Sequence, residues 1–296
     1  MRQPVFSVVV ATYNRAERIA DLAAAILGQT FDHLELVLVD DGSTDGTEAA
    51  IAAITDTRLV AVRRPNGGIS AARNSGAAVA TGRYLCFADD DDRPDPEWLE
   101  TLHRELEQTG AKVVSCGARL VDATGNVHRT CHPERLGQLF GDASGFFLTG
   151  TFAVDRDLFD RAGGFTEGLQ CSHVTDLNLR LLPLARAEGA GVAAIDQPLV
   201  SIERRAVDDR SEATPEKLLA GTVYLLNAYA PQLAAAPKAL ARFESIAGVA
   251  AVRLADPVLA RGHFWRAARA EPGDARNWAR LAASCIPRVA KFAWRR

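Results

Sequence analysis

Four consecutive carboxylates, Asp89-Asp90-Asp91-Asp92, follow the apolar run Tyr84 to Ala88. Like charges packed this closely at a strand's end repel one another unless something positive sits among them. Side chains alternate along an extended chain, so Asp89 and Asp91 can converge while Asp90 faces elsewhere. Two converging carboxylates suit a hard divalent cation, Mg²⁺ or Mn²⁺, which keeps waters and takes further oxygens from substrate phosphates. The competing reading is a solvated acidic turn ahead of Pro94 and Pro96. Asp92 is read as the structural member, capping the chain before the helix that begins at Trp98 and Leu99.

Strands and helices must position these groups, and their patterns alternate. Val5 to Ala11 is a β-branched run, and Ile19, Leu22, Ala23, Ile26 and Leu27 recur at helical spacing between Ala16 and Gln29. Leu34 to Val39 predicts a second strand, and Asp45 or Thr44 caps a helix to Ile54. Leu59 to Val62 is a third strand. Gly67-Gly68 opens a helix through Ala80, and Arg83 to Ala88 is the fourth strand. Alternation of this kind implies a parallel sheet covered on both faces, with ligands at the carboxyl ends of the strands. Three polar clusters then share one crevice: Thr12-Tyr13-Asn14, Asp40-Asp41-Gly42-Ser43, and the four aspartates. Ala111 to Thr130 reads as a strand pair turning at Asp122 to Asn126, and Thr149 to Val154 as another strand. Past Thr214 the strand signal stops, and helices are expected at Pro215–Tyr229, Pro237–Leu254, Pro257–Ala270 and Ala275–Ser284. Val258 to Ser284 could form one tetratricopeptide-type hairpin, which a single copy does not establish.

The fold class expected is α/β: one Rossmann-like, mostly parallel domain over residues 1–210, with a donor-binding half to about 110 and an acceptor-side half from 111. A helical region follows over 211–296. The 296 residues carry a net charge of −3, but ten Lys or Arg against three Asp or Glu between Arg253 and Arg296 give that end +7, leaving −10 for the rest. So local a basic end argues against a nucleic-acid footprint. Five widely spaced cysteines without a C-x-x-C pair argue against a disulfide framework or zinc site and fit a reducing compartment. With no signal-peptide pattern and no apolar run near the roughly 20 residues of a membrane span, a cytoplasmic protein is expected, peripheral to a membrane at most. Trp265, Trp278, Phe292 and Trp294 lie among arginines and lysines, a mixture that suits an anionic membrane surface as well as a helical cap.

Taken in order, Val8 to Arg15, Gln29-Thr30, Val39 to Asp45, Asn66-Gly67-Gly68 with Ala72-Arg73-Asn74-Ser75-Gly76, Asp89 to Asp92, and Gly163-Gly164-Phe165 resemble the inverting family-2 glycosyltransferases, which have the nucleotide-diphosphosugar transferase (GT-A) fold. The resemblance covers roughly residues 5 to 182. It implies a metal-dependent, inverting transfer of a sugar from a nucleotide diphosphate donor to a hydroxyl of a saccharide or lipid-linked acceptor, typically for cell-envelope polysaccharides. It places Thr12, Tyr13, Asn14, Arg15 and Asp41 around the donor's base and ribose, and Asp90 on the ribose. Gly68 has a backbone N–H suited to phosphate, and Arg73 can reach the phosphates or fix an aspartate. Asp91 and Asp89 are the implied metal ligands. Turn chemistry at Asp40 and Asp41, and a simple cap at Gly68, are the plain alternatives.

The pattern departs at the catalytic base. A Glu-Asp pair usually opens the helix after Gly-Gly-Phe; here it aligns with His173-Val174, although Asp176-Leu177-Asn178-Leu179-Arg180-Leu181 continues the family's tail. An inverting transferase must deprotonate the acceptor hydroxyl. His173, by the imidazole's capacity to accept a proton, and Asp176 are the candidates, with Glu167 behind them. A sugar-nucleotide-binding pseudoenzyme is the alternative that Val174 suggests. A sugar-1-phosphate nucleotidyltransferase would want a Gly-rich, Arg- and Lys-containing loop where Thr12-Tyr13-Asn14 stands.

Overall fold

The computed structural model describes residues 3–203 and 214–285. The chain divides into two compact units, Met1–Gly168 with Val174–Arg205, and Leu169–His173 with Ala206–Arg296.

The first unit begins with β1 (Phe6–Thr12), α1 (Ile19–Leu27), β2 (Leu34–Asp40), α2 (Thr47–Ala52), β3 (Leu59–Arg63), α3 (Ile69–Val79) and β4 (Tyr84–Ala88). It continues through β5 (Asp92–Pro94), α4 (Trp98–Thr109), β6 (Val113–Val121) and β7 (Val127–Cys131), then a small ladder of β8 (Glu134–Arg135) with β9 (Ser144–Gly145). β10 (Phe152–Asp155), α5 (Arg156–Arg161), α6 (His173–Ala187) and β11 (Val192–Glu203) complete the sequence of elements. The main sheet runs β3-β2-β1-β4-β10-β6-β11-β5, with β7 on β6. β3, β2, β1 and β4 are parallel neighbours, as are β6 and β11, whereas β10 is antiparallel to both β4 and β6.

Strand residues alternate between two apolar layers, which is the period-2 arrangement of a sheet buried on both faces. Phe6, Val8 and Val10 of β1 join Leu34, Leu36 and Leu38 of β2 in the layer under Trp98, Leu99 and Leu102 of α4. Val9, Val37 and Val39 face the opposite layer with Phe87, Phe152, Phe159 and Leu177. α3 lies close on that layer, because a Cβ at Gly76 would come within 2.4 Å of Val9 Cγ1.

Four strands, β5, β8, β9 and β11, have no counterpart in the sequence reading. The ladder of β11 on β6 skips Asp196 and Gln197 before Pro198, which is in register with Gly117, and Leu199 after it, so irregularities on either side accommodate the proline that a regular central strand rejects. β5 is three residues long and pairs antiparallel with Val200–Ile202.

The second unit consists of α7 (Pro215–Ala228), α8 (Ala230–Ala234), α9 (Pro237–Arg253), α10 (Pro257–Ala270) and α11 (Ala275–Ser284). Proline starts α7, α9 and α10, where its missing N–H costs nothing, and Asp256 and Asp274 cap α10 and α11 through their carboxylates. Phe264 is fully buried, and a Cβ at Gly248 would meet its ring at 2.6 Å. Glu244, buried on α9, bonds His263 Nδ1 at 2.6 Å and accepts from Arg266 Nε at 2.7 Å. No helix among the described residues is long and apolar enough to cross a membrane. Trp265 and Trp278 are exposed and stack edge to face at 6.2 Å. Phe292 and Trp294 lie outside the described residues.

Candidate active site

The carboxyl ends of β1, β2 and β4 stand level: Thr12 is in register with Asp40, and Val10 with Ala88. Three loops leave this edge, and hydrogen bonds join them. Asp41 N donates to Thr12 O at 2.9 Å. Asn14, in the left-handed region at φ 54°, donates from its backbone N–H to Ser43 Oγ at 2.9 Å. Its side-chain oxygen accepts from Thr44 N at 2.8 Å. Asn14 thus ties two loops together. Tyr13 is 47% exposed beside it, leaving an aromatic face for a flat ligand.

The aspartate run turns instead of staying extended, with Asp92 N donating to Asp89 O at 3.1 Å. That turn changes which carboxylates meet. Asp89, Asp91 and Asp92 each bring one oxygen to within 4.8 Å of the others. Asp90 points away, accepting from Thr12 Oγ1 at 2.9 Å and lying 3.5 Å from Arg15 Nε. The expected convergence of Asp89 with Asp91 is present, but Asp92 joins them where a helix cap was expected. It begins β5, is buried, and its Oδ2 accepts from Asp89 N at 2.9 Å. Gly150 makes room for it, since a Cβ there would lie 2.8 Å from Asp92 Oδ2.

Arg73 bonds Asp89 from beneath. Its side chain is fully buried on α3, donates also to Thr149 Oγ1 at 3.2 Å, and stands 5.3 Å over the Phe165 ring. Arg73 on Asp89 and Arg15 near Asp90 do not balance four carboxylates. Burial first, then the charges of Asp89 and Asp90, push Asp91 up to about 6. Burial and Asp89 push Asp92 well above the ordinary carboxylate range, and burial raises Asp90 despite Thr12 and Arg15. Three clustered hard oxygens short of positive charge are a donor set that Mg²⁺ or Mn²⁺ fits.

Asp41 and Gly68, assigned separately to base and phosphate, are bonded to each other. Asp41 accepts from Gly68 N at 2.7 Å and from Gly67 N at 3.1 Å, and Arg64 Nε lies 3.6 Å away. The N–H groups at the start of α3 therefore face a carboxylate of the protein, and Asp41 shapes the glycine turn, with Gly68 at φ 85°. In this structure the Gly68 N–H expected to face phosphate donates to Asp41. Asp40 accepts from Ser43 N at 2.8 Å, the turn role considered for it.

On α3, Asn74 clamps the Gly163-Gly164-Phe165 segment: its amide donates to Phe165 O and its carbonyl accepts from Phe165 N, both at 2.9 Å. Nothing in the sequence apart from the Ala-Arg-Asn run pointed to Asn74, and nothing pointed to Thr149. Asp176 is 0% exposed, and its Oδ2 accepts from Thr166 Oγ1 and Arg180 Nη2, both at 2.7 Å. So held, it fastens α6 to the preceding loop; the expectation that it takes a proton from an acceptor is not favoured by this geometry. His173 is the first residue of α6 and buried, and Val174 sits in the apolar layer with Leu177. Glu167 is exposed, 3.4 Å from Asn74 Nδ2.

Known proteins share this framework. The chain is 36% identical over 116 residues to the uncharacterized glycosyltransferase EpsJ of Bacillus subtilis, a match covering 38% of this chain and 34% of EpsJ. It is 35% identical over 138 residues to the succinoglycan biosynthesis protein ExoO of Rhizobium meliloti, covering 46% of this chain and 39% of that one. The chain thus spans between a third and two-fifths of the length of these curated relatives. Among solved structures, S. aureus TarS 1-349 in complex with UDP-GlcNAc superposes with a TM-score of 0.65 at 19% identity, over 98% of this chain and 88% of that one. That likeness identifies the fold as the nucleotide-diphosphosugar transferase type with helices after it. The Glycosyl transferase family 2 model matches residues 7–165, which run from β1 past the aspartate turn to the Phe165 beneath Arg73. With more than half of its 296 residues in that match, the chain belongs to glycosyl transferase family 2.

Proposed function

We propose that this chain moves a sugar from a nucleoside diphosphate donor to a hydroxyl of a saccharide or lipid-linked acceptor, with Mg²⁺ or Mn²⁺ and inversion at the anomeric carbon. The observation that carries this reading is the meeting of Asp89, Asp91 and Asp92 at the carboxyl edge of the sheet, beside an exposed tyrosine and an arginine-braced carboxylate. A cation bound by these three would neutralise the charge that grows on the departing nucleoside diphosphate. Arg73 fixes Asp89, and Thr12 with Arg15 aims Asp90 toward a ribose. Tyr13 offers its ring to the base, while Asp41 orders the turn at Gly67-Gly68. Residues 1–210 supply the transferase machinery in this reading, and 211–296 an accessory region that includes any membrane contact. TarS, crystallised with UDP-GlcNAc, makes a UDP-sugar the first donor to try, and ExoO's name favours an extracellular polysaccharide as product.

The proton acceptor is His173 in this account, with Asp176 as a positioning residue. Loss of a general base costs about 10² to 10⁴ in rate. Under saturating donor, His173→Ala should fall by that much with donor affinity intact, and Asp176→Asn should lose less. The second reading, a donor-binding protein without turnover, is favoured by Val174 at the expected base position. Isothermal titration of UDP-GlcNAc, UDP-glucose and UDP-galactose with Mn²⁺ or EDTA tests the whole proposal, followed by product analysis with labelled donor. Metal-dependent binding with inverted product supports the transferase, and binding without turnover supports the second reading. Donor binding that is indifferent to EDTA would sink the metal assignment.

A further inference from the structure

The helical unit holds a cleft of about 790 Å³ bordered by α7, α9 and α11. Its floor is apolar, from Leu218 on α7 and from Ile246 and Val249 on α9. Lys238 and Arg242 project from the same face of α9, one turn apart, and Arg280 comes from α11. Like charges at that spacing weaken a helix slightly, so the pair gives the fold nothing by itself. Among the described residues no carboxylate lies within ion-pair distance of these three cations. Two acids border the cleft, Glu271 and Asp274: Asp274 is held by Arg276 Nη2 at 2.9 Å, accepts from the Arg276 backbone N–H at 2.9 Å and also feels the charge of Arg280. Against the two acids stand Lys238, Arg242, Arg276 and Arg280. Ser245 Oγ donates to Asn277 Oδ1 at 3.0 Å.

We propose that this cleft binds a small anionic amphiphile, a hydrocarbon chain ending in a phosphate, with the chain on Leu218, Ile246 and Val249 and the phosphate among Lys238, Arg242 and Arg280. Volume selects the class of ligand. Small-molecule sites run from about 300 to 1,000 Å³, and the cleft falls within that range. Charge selects the headgroup, because four cations against two acids leave an excess of two positive charges, which disfavours a cationic headgroup and matches a dianion. The chain's own last residues, 286–296, carry Arg288, Lys291, Arg295 and Arg296 and no acid, so like charge disfavours them as occupant. This site stands apart from the transferase reading and does not depend on it.

Isothermal titration of the full chain with dodecyl phosphate, below the concentration at which it forms micelles, tests the proposal. Dodecyl maltoside, inorganic phosphate and phosphatidylglycerol vesicles serve as comparisons. Saturable binding of dodecyl phosphate is expected, with a weaker response to inorganic phosphate and none to the maltoside. The double variant Arg242→Gln with Arg280→Gln should bind about tenfold more weakly or worse while keeping its helical circular dichroism. Ile246→Ser should weaken dodecyl phosphate but leave inorganic phosphate unchanged. Equal binding of the maltoside would remove the cations from the argument, and equal binding of inorganic phosphate would remove the floor. Binding to vesicles alone would make this a surface contact instead of a cleft. Unaltered affinity in the double variant, no binding at all, or a tenfold gain on deleting 286–296 would each overturn the proposal.

Discussion

Replacing Asp91 by Asn should stabilise the metal-free protein at neutral pH and abolish its response to metal, and the size of the first effect follows from the site. Asp91 is held at about 6 against an ordinary 3.8, by burial and by Asp89 and Asp90. Below pH 3.8 the group is protonated whether the chain is folded or not, and it costs nothing. Between 3.8 and 6 the folded chain holds a proton that the unfolded chain has released, so stability falls as pH rises through this window. Above 6 the full cost is present: about two pH units at 1.36 kcal/mol each, or about 3 kcal/mol at most. Asp91→Asn deletes that cost. For a unit of this size about 1 kcal/mol moves Tm by roughly 2 to 4 °C, so in EDTA at pH 8 the variant should melt several degrees above wild type, and the two should converge near pH 4. Millimolar Mn²⁺ should raise the wild-type Tm, because a ligand bound only by the folded state stabilises it, and should leave the variant unmoved. Differential scanning calorimetry across pH 4 to 8 reads all of this. A variant less stable than wild type in EDTA at pH 8, or one that still responds to Mn²⁺, would refute the reasoning.

Other substitutions probe the surrounding supports. Asp41→Ala strands the N–H groups of Gly67 and Gly68, and losing hydrogen bonds to a charged acceptor should cost about 2 to 4 kcal/mol in urea unfolding, along with affinity for the free nucleoside diphosphate; a neutral result would remove Asp41 as the organiser of the turn. Arg73→Ala leaves Asp89 without its buried partner, and a loss of about 3 to 5 kcal/mol is expected by the same measurement, with Arg73→Lys recovering only part of it. Gly76→Ala forces a methyl group against Val9 and Val39 and should cost about 1 to 3 kcal/mol with little effect on metal affinity per folded molecule. Wild-type metal affinity should drop as pH falls through about 6, where Asp91 takes up a proton; a titration flat from pH 8 to 5 would place the cation elsewhere.

The amino-acid sequence by itself determined the strand-helix alternation of β1 to β4, the helices past Thr214 and the level strand ends that gather Thr12, Asp41 and the aspartates. Those features rest on period-2 and period-3.6 burial and on caps such as Asp256 and Asp274, which are local. Tertiary structure alone decided the rest. β11 breaks its own pattern at Pro198 because its partners β6 and β5, distant in sequence, supply the pairing that its residues do not advertise. β10 enters antiparallel between β4 and β6 for the same reason. Alternation along an extended chain predicted two metal-facing carboxylates, but the hydrogen bond from Asp92 N to Asp89 O closes a turn that brings a third. Asp41 and Gly68 read as two ligand contacts because 26 intervening residues separate them; α3 returns to the strand edge and joins them to each other. Asp176 reads from the sequence only as one candidate base beside His173, and packing places Thr166 and Arg180 on its carboxylate. Motifs specify residue types near a site, whereas the partner that each carboxylate meets depends on contacts made across the fold.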